Sequence, residues 1–171
     1  MKNKMFNVIY YVVIGMAVSC AGGTNCYFDD GIDVGEKHDY YFENDIEVRN
    51  LAEAGYFVNN HMTAVPDNGD YWQLPEESYQ KRTGDCEDFV IFFMYLAKTK
   101  LDFETEFVVV YFEETSEYHA MAKYLNSYFE VTDSYFEITR LSDKMHIEWI
   151  CTYGELMWMT YYYHDSVGIY N

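Results

Sequence analysis

Proline and glycine are scarce, with two prolines and ten glycines in 171 residues. That excludes collagen-like and linker-dominated chains. Four cysteines are too few to build a disulfide scaffold. Basic residues are also short: Lys and Arg number 11 against 29 Asp and Glu, a formal net charge of −18. Such a chain lacks the clustered cations that displace counterions from phosphate, so no nucleic-acid partner is expected. It equally lacks a basic patch for anionic lipid. Around His61, His146 and His164 no Cys or carboxylate stands at metal-ligand spacing, so neither a metal site nor a cofactor is expected. The leading apolar run, Met5 to Val18, is shorter than the ~20 residues that span a bilayer. What is present is core material: 50% hydrophobic and 20% aromatic residues. That fits one ordinary globular domain and not a disordered chain.

The N-terminus reads as an address. Lys2 and Lys4 precede the apolar run, which ends in small residues; residues 1–19 match a secretory signal peptide. The run closes Ala17-Val18-Ser19-Cys20 and resembles a bacterial lipobox, with Ala17 where Leu is usual. The resemblance implies lipidation of Cys20, membrane contact through that anchor alone, and a cell-envelope lipoprotein, periplasmic or on the outer surface. Ordinary signal-peptidase cleavage would instead give a secreted protein. If Cys20 is lipidated or removed, Cys26, Cys86 and Cys151 remain, an odd number, which leaves one thiol unpaired in an oxidising compartment; ordinary cleavage can also leave Cys20 in place, unmodified.

Residues 20–45 are rich in Gly, Asp and Asn without a period and read as a tether or loop. Residues 46–171 form the domain. From Asp45 to His61 the apolar spacing predicts a helix. Pro66 to Asp70 is turn chemistry, and Pro75 opens a helical turn. Gly84-Asp85 breaks the chain, with Asp85 as N-cap. The segment from Cys86 to Lys98 is the clearest helix. Phe89, Val90, Phe93 and Ala97 lie on the stripe that Cys86 begins, and its other faces are nearly as apolar, so it is predicted to be buried on several sides. Phe107 to Phe112, Tyr118 to Tyr124 and Tyr128 to Thr132 read as strands, the last two joined through Leu125-Asn126-Ser127. The stretch from Ile147 to Tyr163 is ambiguous between strand and helix. Helices followed by strands predict an α+β fold.

A thiol is a nucleophile as thiolate, and a helix N-terminus with a neighbouring imidazolium lowers its pKa. Cys86 occupies such a helix start. His119, early in a strand after a polar loop, is the candidate imidazole. A three-residue hairpin loop would set His119 directly opposite Asp133, which would then orient the ring. A two-residue loop would turn Asp133 to the other face. A lone buried cysteine is more often a small core hydrophobe, and Asp133 alone is ordinary turn chemistry; the ordered set is what carries the signal.

Gly84-Asp85-Cys86-Glu87-Asp88-Phe89, then Tyr118-His119-Ala120, then Phe129-Glu130-Val131-Thr132-Asp133 resemble the transglutaminase-like cysteine hydrolase superfamily, which includes bacterial transglutaminase-like cysteine peptidases. Trp72-Gln73-Leu74-Pro75-Glu76-Glu77 resembles the segment before its nucleophile. The resemblance runs from about residue 70 to 136, under half the chain. It implies a papain-like core, a nucleophile helix on an antiparallel sheet, and acyl transfer through a thioester on Cys86, with His119 and Asp133 completing a triad. The Cys86 backbone N–H would be one oxyanion donor, with Gln73 or the Trp72 indole as the second.

Three functions follow. The first is hydrolysis of peptide or amide bonds in a peptide or protein substrate. The second is transglutaminase-type crosslinking, in which an amine takes the place of water. The third is a catalytically silent binding or scaffolding domain of the same fold. The acidic balance is compatible with a cationic or amine-bearing substrate, and equally with a solubility role.

Overall fold

The computed structural model describes residues 45–66 and 71–166, side chains 162, 163, 165 and 166 excepted. The signal, tether and Cys20 expectations fall outside them. Four helices and an antiparallel five-stranded sheet make an α+β domain.

Helix α1 (Leu51–His61) begins where Asn50 accepts the Glu53 N–H at 2.9 Å. The expected start at Asp45 is therefore too early. Ile46 is buried, as its spacing implied, but precedes the helix. Ala54 and Val58 bury the inner face of α1. Gly55 lies so close to the sheet that a Cβ there would come within 2.1 Å of the Phe136 ring. Strand β1 (Thr63–Ala64) pairs in parallel with β2 (Thr83–Gly84), and α2 (Pro75–Lys81) lies between them in sequence.

Helix α3 (Cys86–Leu101) is the centre of the core. Phe89, Phe92, Phe93, Met94 and Leu96 are almost wholly buried on several sides, and each contributes ~1.5–3 kcal/mol on leaving water. The helix runs one turn past Lys98 and ends where Asp102 takes a left-handed conformation at φ 56.

The sheet follows: β3 (Glu106–Phe112), β4 (Glu117–Tyr124), β5 (Ser127–Val131), β6 (Phe136–Thr139) and β7 (Met145–Thr152), in spatial order β6-β5-β4-β3-β7. Alternation decides its faces. Phe107, Val109, Ala120, Ala122, Phe129 and Val131 face the helices. Only two alanines of β4 lie beneath α3, so helix and strand approach closely. Val108, Val110 and Met121 face outward under Phe112, Tyr128, Leu141 and Met145. Leu141 belongs to the connection that carries the chain from one sheet edge to the other.

The ambiguous C-terminal stretch holds both structures. Strand β7 ends at Thr152, and α4 (Tyr153–Ser166) begins with a reciprocal cap. Glu155 accepts the Thr152 N–H at 2.8 Å, and Thr152 Oγ1 accepts the Glu155 N–H at 3.3 Å. That Thr-x-x-Glu box is readable in sequence.

The β4–β5 turn corrects the register. It has two residues, Leu125 and Asn126, pairing Tyr124 with Ser127 and Ala122 with Phe129. Continued, this register sets His119 opposite Thr132 and not Asp133.

Candidate active site

Gly84 and the Asp85 cap place Cys86 at the first position of α3. A Cβ on Gly84 would lie 2.6 Å from the Asp88 side chain, so glycine is what lets Asp88 fold back beneath the turn. The Asp88 carboxylate accepts the Gln73 N–H at 2.7 Å, the Gln73 amide at 2.8 Å and the Asp85 N–H at 3.2 Å. The other Gln73 amide hydrogen goes to Thr83 O at 2.9 Å. Gln73 thus has no donor left for an oxyanion, and its role is to brace the turn. The Trp72 indole N–H is buried with no acceptor, and the Cys86 backbone N–H lies in the first turn of the helix.

The thiol is half-buried and free. Its S–H donates to Glu87 Oε2 at 2.9 Å, and the Ala120 backbone N–H points at the sulfur. Burial first, then the Glu87 charge, push the thiol well above its ordinary range; the Ala120 N–H opposes them. Burial and the charge of Asp85 also lift Glu87 to about 8 and Asp88 to about 7. Burial thus favours the protonated forms of the Cys86 thiol and of the Glu87 and Asp88 carboxyls. A thiol in this state is a poor nucleophile until a base removes its proton.

The expected base lies on the wrong face. Ala120, one residue on, faces α3; the His119 ring faces outward, beside the Phe112 ring at 6.1 Å. Its Nε2 is 3.3 Å from Glu130 Oε1. Tyr135 donates its hydroxyl to the same Glu130 oxygen. His119 first, and Tyr135 after it, hold the Glu130 carboxyl below its usual range, and burial with the Glu130 contact pushes the Tyr135 phenol to about 12. The structure therefore does not join Cys86, His119 and Asp133 as a triad. A whole-residue alternation separates the ring from the sulfur.

Asp133, by contrast, reaches the Cys86 side of the sheet. Its Oδ2 accepts the Ala64 N–H at 2.8 Å, and its Oδ1 accepts the Ser134 hydroxyl at 3.0 Å. Ala64 pairs with Gly84, two residues before Cys86. Asn59 of α1 donates to the neighbouring Thr132 carbonyl at 2.5 Å. Asp133 thus stands on the helix side beside β1, while His119 stands behind the sheet with Glu130.

Glu130 and Tyr135 are the residues sequence reading missed. Glu130 shares the alternation of His119 once the turn is known to have two residues. That turn gave no signal because Leu125, and not glycine, adopts φ 54. Two of the other described histidines, His61 and His164, are structural. His61 stacks on Phe57 and Tyr79 and donates to Tyr79 O at 2.8 Å. His164 is fully buried and donates to Trp72 O at 2.7 Å. Cys151 is buried in the core, as expected.

No family model matches the chain, and no curated protein matches it. Among solved structures it is similar to Legionella pneumophila LapG. The calcium-bound form gives TM-score 0.46 at 18% identity over 59% of this chain and 62% of that one. The EGTA-treated form gives 0.44 at 18% identity over 59% and 61%. A further LapG structure gives 0.46 at 15% identity over 63% and 68%. The chain thus spans about three fifths of the length of the first of these.

Proposed function

We propose that the protein is a transglutaminase-like cysteine hydrolase that cleaves peptide or amide bonds through Cys86. One observation carries this reading. The sulfur lies at a buried helix start, in contact with the β4 backbone one residue from His119, and Asp133 is tied to the strand that pairs with its turn. The superfamily motif supplies the same three residues in the same order.

The chemistry requires the His119 ring on the helix side. There it takes the Cys86 proton, and the sulfur adds to the carbonyl carbon. The Cys86 backbone N–H and the unpaired Trp72 indole N–H are the donors for the resulting oxyanion. The carbon–nitrogen bond breaks, and the amine leaves with the proton returned by the imidazolium. Water then gives a proton to His119 and adds to the thioester; the carbon–sulfur bond breaks and the thiol is restored. The substrate is a peptide or protein, and the acidic surface favours a cationic one. Export by the N-terminal segment, with Cys20 as a lipid anchor, belongs to the same proposal.

The test is cleavage of a mixed peptide library, read by mass spectrometry, with wild type, Cys86→Ala and His119→Ala. Cleavage lost in the first and reduced ~10²-fold or more in the second is expected. Cleavage unchanged by Cys86→Ala contradicts the reading. A silent binding domain is the second reading, favoured by the raised thiol and the outward ring; it predicts no cleavage by any of the three.

A further inference from the structure

We infer that Glu130, steadied by Tyr135, is a positioning residue that decides which face of β4 the His119 ring occupies, and that the resting protein holds the ring away from the thiol. This rests on the hydrolase reading. Both contacts converge on one oxygen: His119 Nε2 lies 3.3 Å from Glu130 Oε1 as an ion-pair contact short of hydrogen-bond geometry, and the Tyr135 hydroxyl donates to it. The Phe112 ring packs beside the imidazole. The His119 side chain is only 21% exposed and that of Glu130 17%, so the pair is sheltered from water.

Pairing of β4 to β5 stops at Ala122 with Phe129, so the part of β4 carrying His119 is laddered only to β3. On β3, His119 opposes Val110 within an unbroken run of seven pairs; the bulge at Val109/Val110 lies on the far side of β3, with Glu148 of β7 as its extra residue. Ser116, just before β4, already sits at φ 55. A one-residue slip exchanges the faces of a strand, and bulges and turns are where such slips are absorbed. Shifting Tyr118 to Ala120 by one residue would bring His119 to the position from which Ala120 now meets the sulfur. Asp133 is already on that side, through Ala64.

The experiment uses wild type, Glu130→Gln, Tyr135→Phe and the double variant Glu130→Gln/His119→Ala. Three quantities are read: the iodoacetamide alkylation rate of Cys86 at about pH 6.5, the NMR shifts of the His119 ring beside Phe112, and cleavage of the mixed peptide library. In Glu130→Gln the ring shifts should change and alkylation should rise ~10-fold or more, the gain vanishing in the double variant. Tyr135→Phe, which removes one anchor and keeps the packing, should give a smaller gain of ~2–5-fold in the same direction. A ring that stays beside Phe112 in both single variants overturns the proposal. So does a gain that survives His119→Ala. Ring movement with no peptide cleavage by Glu130→Gln would leave the positioning role standing and remove the hydrolase reading.

Discussion

The two faces of β4 divide the molecule. The inner face is made for closeness: Ala120 and Ala122 let α3 settle onto the strand, and the sulfur of Cys86 meets the backbone there. The outer face is made for polarity at one end, where His119, Glu130 and Tyr135 meet, and for a small apolar cluster along the rest. Side chains one position apart on a strand belong to different environments. The Cys86 sulfur and the His119 ring therefore lie on opposite sides of the sheet although Ala120, one residue from His119, meets the sulfur. Sequence order alone does not reveal that separation.

The largest expected contrast is in stability. Phe93, fully buried on α3 and stacked on Phe129, should cost ~3–5 kcal/mol when changed to Ala. Ile150, 39% exposed on the outer face, should cost within ~0.5 kcal/mol when changed to Thr. Urea unfolding measures both; equal costs would abolish the distinction between the faces. Next, Gly84→Ala forces a Cβ against Asp88 at 2.6 Å. It should cost ~1–3 kcal/mol and alter Cys86 reactivity, whereas Gly154→Ala, with open space around it, should be stabilising or neutral.

The pH dependence sharpens the same contrast. Glu87 and Asp88 hold protons more tightly in the fold than in the unfolded chain, at about 8 and about 7 against ordinary carboxyl values. Their contribution is therefore full below the unfolded pKa of about 4 and is lost as pH rises toward 7 to 8. Thermal melts should show Tm falling from about pH 5 to pH 8, and Glu87→Gln should flatten that fall. A Tm that rises over this window, or a slope untouched by Glu87→Gln, contradicts the buried-carboxyl account. The smallest effect belongs to the turn: Leu125→Gly, which relieves a left-handed φ of 54 at an exposed site, should stabilise by ~0.5–1 kcal/mol in the same unfolding assay.

Much of this was legible in the chain. The buried helix beginning at Cys86, the Asp85 break, Pro75 at a helix start and the β-branched run of β3 all announce themselves by period and local chemistry. The α+β class followed from their order. What stayed hidden depends on one residue of turn length. With Leu125 carrying the left-handed conformation, nothing marked a two-residue loop, and the pairing of His119 with Asp133 rested on three. The use of both Gln73 amide hydrogens was hidden for another reason. It requires Asp88 folded back against Gly84, a contact between segments 15 residues apart.

The most direct test of the account is acylation of Cys86 itself. p-Nitrophenyl acetate gives a burst of p-nitrophenolate as the acetyl group passes to a nucleophilic thiol, and mass spectrometry locates the adduct. Acetyl is expected on the Cys86 peptide, formed ~10²-fold more slowly or not at all in His119→Ala. Acetylation that ignores His119, or that never reaches Cys86, would contradict it.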